Sequence, residues 1–319
     1  MSKNLLEVKN LKVVFHTYRG TVHALDGISF DVKKNEKLGI IGETGCGKSV
    51  TSLAIMRLID LPGEITNGEI IFDGKDIMKL SENLLNDIRG KDISMIFQEP
   101  LSSLNPVMKV GFQIGESISR VKKSSMKESR QDVLDALEVV GLDPKRVIDL
   151  YPHELSGGMA QRVMISMALS TNPKLMIADE PTSALDVTIQ AQIIALLDDL
   201  VSKMRNTVIL ITHDLGVAAQ FCDRILIMYA GNVVENAKTD ELFENPLHPY
   251  TKGLLKAVPK IGNRGKLVGI PGNVPDLVNP PTGCRFHPRC PYAMEICKIE
   301  KPSLKMETSD HGVACHLYG

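Results

Sequence analysis

Leu38-Gly39-Ile40-Ile41-Gly42-Glu43-Thr44-Gly45-Cys46-Gly47-Lys48-Ser49 joins a short apolar run to a glycine-rich turn and to the first residues of a helix-forming stretch. That order predicts strand, loop and helix. The turn fits G-x-x-x-x-G-K-[ST], the spacing of a phosphate-binding loop. Its glycines let backbone N–H groups turn towards phosphate oxygens, and the helix N-terminus adds a favourable dipole. Lys48 can bridge the outer phosphates and Ser49 can ligate Mg2+. The expected nucleotide-contacting positions are Gly42, Gly45, Cys46, Gly47, Lys48, Ser49 and Val50. Among them Cys46 acts through its backbone as a small filler, and Val50 continues the helix with Thr51. Kinases, GTPases and motors share such a loop, so it specifies a nucleoside triphosphate and leaves the reaction open.

Two more apolar runs, residues 175–178 and 207–212, read as buried parallel strands ending in polar residues, the edge of an open α/β sheet where ligands bind. Asp179 and Glu180 end the first, and His213 and Asp214 the second. Phosphoryl transfer depends on a metal, in-line positioning and charge neutralisation. Asp179 is the candidate magnesium acid, Glu180 the residue that polarises the attacking water, and His213 a contact to the γ-phosphate and that water. Between the runs, Ile189, Ile193, Leu196, Leu197, Leu200 and Val201 share one face of a helix with Asp186 at its N-cap. Residues 81–155 read as mainly helical and polar, an insertion between two parts of the site.

The chain of 319 residues, 43% apolar, has material for one large α/β core and a smaller appendage. Its 37 basic and 38 acidic side chains create no net field for a nucleic-acid backbone. No run approaches the roughly 18 apolar residues of a membrane span, and the start lacks the apolar core of a secretory signal, so a cytosolic protein is expected. Residues 224–235 read as two short strands around a Gly-Asn turn. Prolines, Pro259 among them, and four of six cysteines then crowd the chain, placing an expected boundary near Asp240. Cys284, Cys290, Cys297 and Cys315 are separated by five, six and seventeen residues. Four thiolates suit tetrahedral zinc or an iron–sulfur cluster, with His287 and His316 near enough to substitute. Cys222, beside Phe221, reads as core.

Leu155-Ser156-Gly157-Gly158-Met159-Ala160-Gln161-Arg162 supplies a second helix start with exposed N–H groups. It resembles the LSGGQ signature of ATP-binding-cassette (ABC) ATPases, with Met159 where the family often has Gln. Gln98 resembles the Q-loop glutamine, Ser183-Ala184-Leu185-Asp186 the D-loop and Ile211-Thr212-His213-Asp214 the H-loop. Tyr18, or alternatively Phe15, stands where the family stacks an aromatic ring on adenine. The motifs occur in the family's order. The resemblance implies an α/β fold: a P-loop ABC ATPase core with an antiparallel β subdomain, an inserted helical subdomain at about residues 81–165, and a small cysteine-containing C-terminal extension. The cassette would span residues 1–240 and the extension 241–319. It also implies a head-to-tail dimer, in which Ser156, Gly157 and Gly158 of one subunit close over the ATP of another.

Three further stretches, residues 98–106 (QEPLSSLNP), 246–252 (PLHPYTK) and 283–291 (GCRFHPRCP), resemble ATPases of the dipeptide/oligopeptide importer family. That resemblance implies an ATPase at the cytoplasmic face of a prokaryotic membrane, paired with a second ATPase subunit, two permease subunits and an extracytoplasmic solute-binding protein. Nickel or another small solute is an alternative cargo, and a soluble ABC ATPase acting on nucleic acid or ribosomes is the alternative class. Mg2+ is expected at Ser49, Gln98 and Asp179. A [4Fe–4S] cluster, with Zn2+ as the alternative, is expected at Cys284, Cys290, Cys297 and Cys315.

Overall fold

The computed structural model describes residues 4–183, 185–257 and 269–318; Ala184 and Pro259 lie outside them. Along the chain come β1 (Asn4–Thr17), β2 (Gly20–Lys33), β3 (Lys37–Ile41), α1 (Lys48–Ile55), β4 (Gly63–Phe72) and β5 (Lys75–Asp76). Next are α2 (Glu82–Ile88), β6 (Ile93–Ile96), α3 (Pro100–Ser103), α4 (Val110–Lys122), α5 (Arg130–Val139), α6 (Pro144–Val147) and α7 (Gly157–Leu169). β7 (Leu175–Asp179), α8 (Val187–Met204), β8 (Thr207–Thr212), α9 (Leu215–Phe221), β9 (Arg224–Tyr229) and β10 (Asn232–Lys238) follow. The final part holds α10 (Thr239–Glu244), α11 (Pro249–Ala257), α12 (Glu295–Ile299), β11 (Lys305–Met306) and β12 (His311–Val313).

Two compact units divide this chain, residues 1–78 with 212–319, and residues 79–211. In the first, an antiparallel sheet runs β2-β1-β4-β5, and a second group of strands runs β11-β12-β10-β9-β3. β3 pairs with β9 in parallel, Leu38 opposite Arg224 and Ile41 opposite Ile227. Both strands are almost wholly buried, which accounts for their unbroken apolar character. Arg224 is tolerated there because its guanidinium is fully engaged: Nε donates to Glu36 Oε1 at 2.7 Å and Nη2 to the Asp31 carbonyl at 2.6 Å. In the second unit, β8, β7 and β6 are parallel neighbours. Helix α8 packs with Ile193, Ile194, Leu197, Leu200 and Val201 buried, and Asp186 caps it by accepting from the amides of Thr188 and Ile189.

Two expectations need amendment. The hairpin turn between β9 and β10 is Ala230-Gly231, not Gly-Asn: Tyr229 already pairs with Asn232. Ala230 and Gly231 have φ of 46° and 79°, the doubly left-handed turn that matches strand twist. The stretch expected to be helical also contains β6, whose Ile93, Ser94 and Ile96 are buried. Beyond Asp240 the tail returns to the β9–β10 strands, β12 pairing with β10.

Candidate functional site

The phosphate loop lies in the first unit, between β3 and α1. Gly42 has no room for a side chain, since a Cβ there would sit 2.2 Å from the Met228 carbonyl oxygen. Gly45 and Gly47 have φ of 81° and 103°, which L-residues with side chains rarely adopt. Lys48 is buried and turns back over the loop, its Nζ donating to the carbonyls of Gly42 at 2.8 Å and Glu43 at 3.3 Å. Cys46 is buried, and burial pushes its thiol up to about 11, which keeps it protonated and unreactive. Its carbonyl accepts from the Gly231 amide at 2.9 Å, tying the loop to the β9–β10 turn. Val50 is half-buried within α1. His213 is exposed just after β8, and Asp214 beside it caps α9 through the amides of Gly216 and Val217. Tyr18, in the turn between β1 and β2, is 99% exposed, a ring with its faces open to a planar partner.

The second unit assembles a carboxylate–amide group. Asp179 ends β7 with only 4% exposure, and Glu180 follows with φ of 44°. A β-carbon in this left-handed region is strained, and such strain collects at functional positions. The backbone is held there by Glu180 N–H donating to the Ile211 carbonyl at 2.9 Å. Gln98, exposed after β6, directs Nε2 towards Glu180 Oε2 at 3.4 Å, so two expected site residues from distant sequence positions face each other.

The signature stretch is also in this unit. Ser156 is the N-cap of α7, and its Oγ accepts from the Met159 amide at 3.3 Å. Gly157 and Gly158 are the first helical residues. A Cβ on Gly158 would stand 3.1 Å from Ile189 on α8, and one on Gly157 3.4 Å from Leu185. Gly158 therefore allows the helix start to lie close to α8, whereas Gly157 keeps an exposed backbone surface.

The comparisons agree with these motifs. A family model described as "ABC transporter" matches residues 25–183, and one described as "Oligopeptide/dipeptide transporter, C-terminal region" matches residues 234–297. Over 98% of its length the chain is 50% identical to the oligopeptide transport ATP-binding protein AppD of Bacillus subtilis, covering 97% of that protein. It is 47% identical to the dipeptide transport ATP-binding protein DppD of Escherichia coli, over 98% of this chain and 96% of that one. The chain belongs to the ATP-binding subunits of the ABC oligopeptide/dipeptide transporter family. A solved dimer of the cassette MJ0796 bound to ADP and Pi superposes with a TM-score of 0.66 at 30% identity, covering 73% of this chain and 98% of that one. The chain is an ABC-type ATPase. Among the described residues no helix is long and apolar enough to cross a membrane.

In this ABC subunit the tail is held within the first unit by pairings that the sequence motifs did not disclose. Buried Glu235 accepts from the amides of Leu247 and His248 at 2.6 and 2.9 Å and meets His311 Nε2 at 2.8 Å. Phe286, Tyr229, Tyr250 and His248 form an aromatic cluster; the Tyr229 and Phe286 centroids are 5.0 Å apart, edge to face. Arg285 donates to the carbonyls of His23 and Ala230. Arg289 forks onto the Glu43 carboxylate at 2.7 and 3.1 Å. Their pairing spans distant parts of the chain, and only those long-range contacts show what each side chain does.

Cys290, Cys297 and Cys315 all act electrostatically on Cys284. Burial raises the Cys284 thiol to about 11, and nearby Cys297, Cys315 and Cys290 push in the same direction. The Cys284 amide donates to the Cys297 carbonyl at 2.8 Å. Among the described residues, no three His, Cys, Asp or Glu side chains form a group arranged to hold a metal. His287 Nδ1 is 2.9 Å from the Cys284 carbonyl and His316 Nε2 is 2.9 Å from the Glu300 carbonyl. Cys222 is core, as expected.

His248 gives the tail a pH dependence. Burial pushes its imidazole down to about 3, with the Lys252 charge adding to the effect, and Nδ1 accepts from the Tyr250 amide at 3.1 Å. The folded ring stays neutral while the unfolded ring gains a proton below about pH 6.5, so stability is full above that pH and falls as pH drops towards about 3. The loss from this group approaches roughly 1.4 kcal/mol per pH unit within that window. Urea unfolding at about pH 7.5 and about pH 5.5 is expected to show a smaller drop for His248→Asn than for the parent chain. Equal drops would remove His248 as the cause.

Proposed function

We propose that this ATPase drives uptake of dipeptides or oligopeptides through two permease subunits at the cytoplasmic face of a prokaryotic membrane. An extracytoplasmic solute-binding protein would deliver the solute, and an identical or sister ATPase subunit would complete a head-to-tail pair. The observation that carries the reading is the presence on one chain of two glycine-opened cradles, at α1 and at α7, each in its own compact unit. One nucleotide has no use for both within one molecule, so the second is read as serving a partner's ATP. The solute class follows the relatives, whose names specify oligopeptide and dipeptide transport.

In this reading Gly42, Gly45, Cys46, Gly47, Lys48, Ser49 and Val50 bind the nucleotide and Tyr18 stacks on its base. Ser49, Gln98 and Asp179 offer hydroxyl, amide and carboxylate oxygens, a donor set that suits Mg2+. Magnesium supplies charge neutralisation and alignment of the phosphates. Glu180 polarises the attacking water, His213 orients it against the γ-phosphate, and Ser156, Gly157 and Gly158 cover the partner's ATP. Hydrolysis then reopens the pair and resets the permease. The cassette occupies residues 1–240 and the tail 241–319.

Cys284, Cys290, Cys297 and Cys315 would hold a [4Fe–4S] cluster, or Zn2+ as the alternative; the all-thiol donor set is what supports this reading. Such a group would act as a structural staple for the tail. Anaerobic purification followed by iron, sulfide and zinc analysis is expected to give iron and sulfide; zinc alone selects the alternative, and neither metal sinks the site. For the whole reading, native-membrane co-purification is expected to recover two permease chains with ATPase activity stimulated by short peptides through the solute-binding protein. Stimulation by nickel instead would reassign the cargo, and recovery with ribosomes or nucleic acid without a permease would overturn the importer.

A further inference from the structure

The tail reaches the phosphate loop at Glu43 and holds that residue from two sides. Arg289 binds the carboxylate through both terminal nitrogens, Nη1 to Oε2 at 2.7 Å and Nη2 to Oε1 at 3.1 Å. Tyr250 Oη accepts from the Glu43 amide at 2.9 Å, which fixes the direction of the peptide following Gly42. The Glu43 carbonyl in turn accepts from Lys48 Nζ at 3.3 Å. A continuous path therefore leads from the tail, through one loop residue, to the lysine that meets the phosphates.

Arg289 is itself rigidly placed. Its side chain is 6% exposed. Nε donates to the Pro271 carbonyl at 2.9 Å, Nη2 to the Ile270 carbonyl at 3.2 Å and Nη1 to Tyr229 Oη at 3.4 Å. Planar, forked pairing of this kind fixes orientation as well as charge. It also offsets a carboxylate that would otherwise present uncompensated negative charge within a loop that must accept phosphates.

We propose that Arg289 is a positioning residue for nucleotide binding: through Glu43 it holds the phosphate loop and Lys48 in their receiving arrangement, so the tail sets the affinity for ATP. The inference rests on the reading of Lys48 and its loop as the ATP site. Loss of the fork lets the loop sample other arrangements, and apparent affinity falls with the fraction of competent loop. The chemical step, carried by other residues, is left intact once ATP is bound.

The test is equilibrium titration of the full chain with MgATP and MgADP, together with steady-state ATPase measurements. Arg289→Ala is expected to weaken both nucleotides by roughly 5- to 30-fold and to raise KM with little change in kcat at saturation. Arg289→Lys, which keeps the charge and loses the fork, is expected to fall between. Combining Arg289→Ala with Glu43→Gln is expected to add little beyond Arg289→Ala alone, the coupling of two residues in one contact. Lys301→Ala severs a different tail tether, the ion pair to Asp26 at 2.9 Å, and is expected to leave nucleotide affinity unchanged. Parent-like affinity in Arg289→Ala, or an equal loss in Lys301→Ala, would overturn the proposal. Lys48→Ala separates this failure from failure of the underlying reading, because unaltered binding in that variant would instead displace the ATP site itself.

Discussion

Glu180→Gln is expected to bind MgATP as the parent does and to lose at least about 100-fold in turnover, the lower range for removal of a group that handles the proton of an attacking nucleophile. The substitution keeps length and shape and removes the charge and basicity needed to polarise water. Its backbone position is held from outside the side chain, by the amide donated to Ile211, so the fold has no reason to change. Gln98, which faces Glu180 at 3.4 Å, still meets an oxygen acceptor in the variant. Binding by equilibrium titration and turnover by phosphate release separate the two effects. Near-normal hydrolysis in a competent dimer would dismiss Glu180 as the water-activating group.

The second large effect belongs to the helix start at α7. Gly157→Asp is expected to leave nucleotide binding at the chain's own phosphate loop intact while reducing turnover by about 100-fold or more, the size of effect seen when electrostatic stabilisation of a charged oxygen is undone. The Cβ would make only an ordinary contact, 3.4 Å from Leu185, so misfolding is not the source. The carboxylate instead places negative charge where a partner's phosphates are to be covered. ATP-driven dimerisation, followed by light scattering of the variant made with Glu180→Gln, should vanish alongside turnover. A stable ATP-bound dimer of that double variant would reject the head-to-tail assignment.

The parts of this protein legible in sequence are those whose chemistry is local. β3, β7 and β8 are buried along almost their whole length, so their apolar runs appear unbroken. Asp186 announces α8 because a cap and the residues it serves are adjacent. β1 and β2 are harder to recognise: their pairing shifts register between Val8 and Leu11, where Asn10 has φ of 47°, and the bulge breaks the two-residue alternation. The hairpin turn is displaced by one residue because Ala230 accepts a left-handed backbone that Asn or Gly would ordinarily fill.

Within the site, the phosphate loop, the α7 cap and the β7 carboxylates each follow from a contiguous motif. The Glu43–Arg289 fork does not: each residue lies in a recognisable stretch, the phosphate loop and residues 283–291, but nothing local pairs two positions 246 apart. The same holds for Glu235, which is silent in sequence yet accepts from two amides and meets His311. Distance along the chain hides a contact whenever neither residue's neighbours require it.

The left-handed backbone at Glu180 has a consequence for anyone evolving this protein in the laboratory. Glycine at that position would relieve about 1 kcal/mol or more of conformational cost while deleting the carboxylate. Under the role proposed for Glu180, selection for heat resistance alone would thus enrich inactive chains, and the most robust library members would be poor ATPases. Stabilising this scaffold calls for a screen that demands turnover in every round, or for a library in which codon 180 is never varied.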